Sequence, residues 1–140
     1  MYLVRLVYTS TISDKFESTD IESILACARK NNGVNNVSGV LCFSRSHFLQ
    51  CLEGSRARVN ETYHNILNDP RHKNIIILSY EEVVSREFSQ WNMSYIPDTS
   101  VTSVINLRYS GSSEFKPYEM SGDSALAMLI EMGEQFPGSS

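Results

Sequence analysis

The spacing of hydrophobic residues changes period along this chain, and each change marks an element. Tyr2 to Thr9 alternates: Tyr2, Val4, Leu6 and Tyr8 share one face, and Leu3, Arg5 and Val7 share the other. That period of two is the mark of a strand. Ser10 to Ser18 is polar and predicts a loop. Thr19-Asp-Ile-Glu22 then has the form of a capping box. Behind it Ile21, Ile24, Leu25 and Ala28 recur at the i, i+3, i+4, i+7 spacing of one buried helical stripe. The same spacing continues to Asn31 and Asn32, just before the stop signal Gly33. The inward stripe therefore ends in amides. Asparagine at a helix end also serves as a plain cap, and the pattern leaves both readings open.

Val37–Ser44 and His47–Glu53 are β-rich runs around the polar break Ser44-Arg45-Ser46, which predicts a hairpin. In the second run Phe48, Gln50 and Leu52 look one way, and Leu49 and Cys51 look the other. Both faces are mostly apolar, as in an interior strand covered on both sides. Gln50 is the exception. Its carboxamide, with two donors and an acceptor oxygen, would cost about 1–3 kcal/mol if buried without a partner.

Gly54-Ser55 opens a second helix whose stripe is Val59, Tyr63, Ile66 and Leu67, and Asp69-Pro70 ends it. Arg71 and His72 fall on the following turn. Asn74 to Val84 predicts a fourth strand, and Gln90 to Ile96 a fifth with Trp91, Met93 and Tyr95 on one face, closed by Pro97. The order βαββαββ over residues 1–97 predicts an α+β, ferredoxin-like fold: a five-stranded mixed sheet with two helices on one face. From residue 98 to 140 the texture changes. Val101–Leu107 predicts a short helix, Arg108–Tyr118 a Ser/Gly-rich loop, and the stretch from Ser121 or Asp123 to Glu134 a helix with Leu126, Leu129, Ile130 and Gly133 inward. This C-terminal helical extension is expected to cover the other face of the same domain.

Composition narrows the function classes. A net charge of −4 with no concentrated basic surface argues against nucleic acid, and Arg56-Ala-Arg58 reads as the solvated first turn of a helix. No apolar run approaches the ~20 residues of a membrane span, and Met1-Tyr-Leu-Val-Arg5 enters a strand with no leader pattern, so the expected location is cytoplasmic. Three cysteines (Cys27, Cys42 and Cys51) without a CxxC indicate neither a disulfide framework nor a zinc site, and His47, His64 and His72 lack ligand spacing. No metal is expected. The cysteines read as small hydrophobes inside elements.

In a ferredoxin-like layout the first and third strands are adjacent, which brings Tyr8 within reach of Gln50. A phenol, the amides of Gln50, Asn31 and Asn32, and the Trp91 indole would converge under the first helix. Such a pocket suits a flat heteroaromatic ring with amide-like edges. The plainer reading is a self-satisfied Tyr–Gln core pair beside a capping asparagine. Carboxylate pairs, nucleophile–base spacings and a phosphate loop are all missing from the sequence, which leaves little for a hydrolase or transferase.

The ordered set Arg5-Leu-Val-Tyr8-Thr-Ser10, Asn31-Asn32, Val37-Ser-Gly-Val-Leu41, Phe48-Leu-Gln-Cys-Leu-Glu-Gly54, Asp69-Pro-Arg-His72 and Phe88-Ser-Gln-Trp-Asn-Met93 resembles a BLUF domain, a blue-light sensor using flavin. In the tail, Leu107-Arg-Tyr-Ser-Gly111 with Pro117 and Met120 resembles the short PixD-type members. The resemblance implies a non-covalently bound flavin, FAD or alternatively FMN, lying between the two helices over the sheet. It implies Tyr8, Ile24, Asn31, Asn32, Gln50, Asp69, Arg71 and His72 as flavin-binding residues, with Asn32 at the ring edge. Tyr8 and Gln50 are implied as the photoactive pair, and Trp91 and Met93 as the relay. It further implies no catalytic turnover, a separate and response-regulator-like partner protein, and a homo-oligomer. Asn65 and Ala28 depart from members that carry a basic residue and a serine there. Two other classes share the layout: an acylphosphatase-like hydrolase using Arg5 and Asn32, and a ligand-free interaction module.

Overall fold

The structure, a computed structural model, describes residues 2–14, 17, 20–88, 94–97 and 100–135. In chain order these form β1 (Leu3–Ile12), α1 (Asp20–Asn35), β2 (Ser38–Phe43), β3 (His47–Ser55), α2 (Arg56–Leu67), β4 (His72–Glu82), β5 (Ser94–Pro97), α3 (Ser100–Ser110), a 3-10 turn at Pro117–Glu119, and α4 (Gly122–Gln135). The fold is α+β. The strands lie in the order β4-β1-β3-β2-β5, with β5 parallel to β2 and the other pairs antiparallel. The fifth strand is described from Ser94 onward, and residues 89–93, including Trp91 and Met93, lie outside the described residues.

The β2–β3 hairpin closes where expected, with the Ser44 N–H donating to the His47 carbonyl at 3.0 Å. Gly39 faces Leu52 across it, and a Cβ there would lie 2.1 Å from the Cys51 carbonyl oxygen. No side chain fits, so the strands approach through this glycine.

Two boundaries moved for identifiable reasons. Strand β1 runs three residues past its expected end at Thr9, through polar residues that read as a loop. Their hydroxyls are all satisfied: Thr9 Oγ1 donates to the Phe48 carbonyl at 2.8 Å, Ser10 Oγ bonds His72 Nδ1 at 2.8 Å, and Thr11 Oγ1 bonds the Tyr118 hydroxyl at 2.8 Å. Helix α1 passes Gly33 and ends at Asn35, because Asn36 takes the left-handed conformation (φ 56°) that closes it.

Each sheet face has its own core. Val4, Leu6, Leu41, Phe48 and Leu52 pack with Leu25 of α1 and Val59 of α2. Val7, Val40, Cys42, Leu49 and Cys51 pack on the opposite side with Ile105 of α3 and with Ala125, Met128, Leu129 and Met132 of α4. The α4 stripe is thus rotated from the expected one; Leu129 and Gly133 are buried, but Leu126 and Ile130 only flank the cluster. Leu67, expected inward on α2, is exposed, and Cys27 is exposed while Cys42 and Cys51 are buried. Among the described residues no helix is long and apolar enough to cross a membrane.

Candidate functional site beneath the first two helices

Tyr8 and Gln50 are directly opposed in the β1–β3 register, and the phenol donates to Gln50 Oε1. Tyr8 is fully buried and Gln50 nearly so. Burial, with the nearby Tyr63 and Asp69 adding to it, pushes the Tyr8 phenol well above its ordinary range, so its proton stays on in the resting state. A cavity of about 310 Å³ opens between α1, α2 and this part of the sheet. Gln50 lines it. So do Ile24, Asn31, Asn32, Asp69, Arg71 and His72, so every expected flavin-binding residue except Tyr8 is on the wall, and Tyr8 stands directly behind Gln50. Asn32 is buried; Asn31 is exposed at the opening, and its amide donates to Cys27 Sγ at 3.4 Å.

The floor beyond Gln50 is ordered by an ion pair. Asp69 accepts from Arg71 at its Nη2 (2.8 Å), its Nε (2.9 Å) and its backbone N–H (2.9 Å). Burial works to raise Asp69, but these bonds and the positive charge of Arg71 outweigh it and hold the carboxyl below its usual range. His72 is anchored by Ser10 and stacks 4.6 Å from the Phe48 ring, 6.4 Å from Tyr8. Burial lowers its pKa to about 4, so the ring is neutral at physiological pH.

Sequence reasoning passed over Leu41, Thr62 and Ile66, which also line the cavity. Both sources were in reach. Leu41 is the β2 partner of Gln50, and Thr62, Asn65 and Ile66 follow the i, i+3, i+4 spacing of one α2 face. Asn65 and Ala28, the two departures, sit on the wall as well.

The residues present fit a flavin. The volume lies within the range of small-molecule sites, and an apolar slot of Ile24, Ala28, Leu41 and Ile66 carries amides at its edge, the donor and acceptor set a polar heteroaromatic rim needs. The acylphosphatase-like arrangement does not form. Arg5 points to the other face of the sheet, where its Nε donates to the buried Glu53 carboxylate at 2.8 Å, away from Asn32.

Residues 3–94 match the family model for sensors of blue light using FAD, the BLUF domain. The chain belongs to the BLUF family. It is 37% identical over 91 residues to the blue light- and temperature-regulated antirepressor BluF of Escherichia coli, covering 65% of this chain and 23% of that protein. The photoactivated adenylate cyclase subunit beta of Euglena longa is 25% identical over 93 residues, 11% of its length. The chain thus spans under a quarter of these relatives. Among solved structures, the photo-activated state of BlsA superposes with a TM-score of 0.85 at 31% identity, covering 93% of this chain and 94% of that one. The dark state of BlrB, a BLUF protein, gives 0.79 at 26% identity, covering 94% of each chain. The BLUF match is to a sensor family and not to a catalytic one.

Proposed function

We propose that this chain is a blue-light photoreceptor that holds flavin non-covalently in the α1–α2 cavity and passes its signal to a separate partner protein, itself assembling as a homo-oligomer. When bound, flavin absorbs blue light and accepts an electron and a proton. The chain's own residues do the rest. Tyr8 is the donor, releasing an electron and the proton at its Oη, which burial otherwise holds in place. Gln50 stands between the Tyr8 phenol and the cavity, and its carboxamide exchanges donor and acceptor ends by rotation or tautomerisation with almost no change of volume. Asn31 and Asn32 would orient the ring edge, Ile24 would pack on it, and Asp69, Arg71 and His72 complete the cavity wall near Tyr8 and Gln50. Trp91 and Met93 carry the change outward. FAD is the expected ligand, and FMN fits the same ring chemistry.

The observation that carries this reading is a buried Tyr8–Gln50 hydrogen bond whose amide also lines a ligand-sized cavity. It weighs against the plainer account, in which a self-satisfied pair is sealed into solid core. The architecture of the reading is a ferredoxin-like, five-stranded mixed-sheet sensor domain over residues 1–97 with a C-terminal extension, 98–140. In the relatives, the BLUF segment accompanies an antirepressor and cyclase subunits, which supports output through another protein surface.

The test is spectroscopic. The purified protein is expected to be yellow, to shift its flavin absorption to longer wavelength under blue light, and to revert in the dark. Tyr8→Phe and Gln50→Leu should each retain flavin and lose the shift. A normal light response in either variant would overturn the mechanism, and a colourless protein that cannot be reconstituted with FAD or FMN would overturn the ligand.

A further inference from the structure

Strand β4 changes register where it meets the end of β1. Thr9 pairs with Ile76, but Thr11 pairs with Lys73 and Ile12 with His72. Asn74 and Ile75 together therefore stand opposite Ser10 alone, which is a β-bulge. Asn74, the first of the two, has the left-handed backbone (φ 52°) that such a bulge favours. The extra residue decides what faces the cavity. Side chains alternate along a strand, so one inserted residue reverses the facing of every position before it. Carried on from the Thr9–Ile76 pair without the bulge, the register would set Lys73 opposite Ile12 on the cavity side and turn His72 to the other. With the bulge, His72 lies on the face of Tyr8 and Ser10, bonds Ser10 Oγ and lines the cavity, while Lys73 is exposed opposite Thr11.

The bulge is held from outside the sheet. Tyr118 lies in the 3-10 turn Pro117–Glu119 of the C-terminal extension. Its hydroxyl donates to the Asn74 carbonyl at 2.7 Å and accepts from Thr11 Oγ1 at 2.8 Å. Its ring meets that of His47 edge to face, with centroids 5.4 Å apart. One phenol thus touches β1, β3 and β4 at the same end of the sheet, with a hydrogen bond to each strand of the bulged pair. A bulge interrupts the ladder locally, and Tyr118 gives the Asn74 carbonyl a partner there. The Ser13 N–H, donating to the Arg71 carbonyl at 3.0 Å, carries the shifted register onward, so Tyr118 acts where the shift begins. We propose that Tyr118 is a positioning residue for the cavity: by holding the β4 bulge, the C-terminal extension keeps His72 in the cavity wall. By linkage the effect runs both ways, and a ligand seated against His72 strengthens the docking of the turn that carries Tyr118. That this ligand is a flavin rests on the reading above; the placement of His72 does not.

NMR titration of the histidine rings in the ligand-free protein tests it, with His72→Gln assigning the His72 signal. Burial puts the wild-type midpoint of His72 at about 4. Tyr118→Phe keeps the ring against His47 and removes both hydrogen bonds. It should raise the His72 midpoint by at least about half a pH unit, toward the solvated value, as the imidazole leaves the wall. Asp69 and Arg71, the charged groups that face His72, are the same in both proteins, so a loss of global stability alone does not move that midpoint. Adding Asn74→Gly, which favours the left-handed backbone of the bulge by itself, should bring it back. A midpoint that Tyr118→Phe leaves in place, or that Asn74→Gly does not restore, overturns the proposal. If Tyr118→Phe does not fold, Thr11→Val decides on the same criterion, because it removes the other hydroxyl and leaves the Tyr118 ring where it is. FMN titration runs alongside: a wild type that takes up no FMN strikes the flavin reading and leaves this one to the His72 midpoint.

Discussion

His72 shows how one side chain can tie the site to solution conditions. It enters the sheet at the start of β4, stacks on Phe48 and is held by Ser10, and burial lowers its pKa from 6.5 to about 4. Between those two values the unfolded chain binds a proton there that the folded chain does not, so stability rises with pH across that window. The contribution of this residue is complete above pH 6.5 and is lost as the pH falls to 4, amounting to about 3 kcal/mol. Urea denaturation of the apoprotein at pH 7 and at pH 4 should show this loss, and His72→Gln should remove most of it. An unchanged pH slope in the variant would mean that the acid sensitivity lives elsewhere. The same burial argument explains why Tyr8 can wait beside Gln50 with its proton in place.

At the scale of elements, Glu53 on β3 joins the sheet to the segment that leads toward β5. Its carboxylate is fully buried and accepts from Arg5 Nε at 2.8 Å, from the Glu87 N–H at 2.9 Å and from the Phe88 N–H at 2.7 Å. Arg86 adds a bond to Ser38 Oγ at 2.9 Å. Glu53→Ala would leave a guanidinium and two backbone donors buried without their acceptor, at a cost of about 3–5 kcal/mol in chemical denaturation. Glu53→Gln keeps an acceptor oxygen and should lose distinctly less; equal losses would show that the hydrogen bonds carry nothing beyond the volume. This tie was invisible in the sequence, where Glu53 is one charged residue at the end of an apolar strand. What was legible were the elements whose pattern is driven by burial: the hairpin, the α1 stripe running into Asn32, and the β1–β3 adjacency that pairs Tyr8 with Gln50. Polar residues satisfied by tertiary partners were not, which is why Ser10 and Thr11 read as loop and became strand. The α2 wall of the cavity was missed for a related reason. Thr62 faces a ligand space rather than core, so a search for hydrophobic periodicity passes over it.

For the whole molecule, the question is how far the C-terminal extension belongs to the sensor. Only one face of the sheet is covered by α1 and α2; the other is closed by α3 and α4, with Ala125, Met128, Leu129 and Met132 fully buried against Val7, Val40, Leu49 and Cys51. The N-terminus of α4 sits equally close, since a Cβ on Gly122 would lie 2.4 Å from the Leu78 carbonyl oxygen of β4. A chain cut after residue 97 would therefore expose a contiguous apolar sheet face, and exposed patches of that kind drive aggregation. Within the intact chain, Met128→Ala should cost about 2–5 kcal/mol by the cavity it leaves, and Met128→Leu less than about 1.5 kcal/mol, because it keeps the volume. The two predictions separate two views of the extension. If it completes the core, truncation gives insoluble or molten protein and Met128→Ala lowers the denaturation midpoint without touching the Tyr8–Gln50 side. If it is a detachable output arm, the truncated chain stays soluble and light-responsive, and Met128→Ala is close to silent. The burial of four α4 side chains against β1, β2 and β3 favours the first, and a soluble, photoactive fragment ending at residue 97 is the result that would refute it.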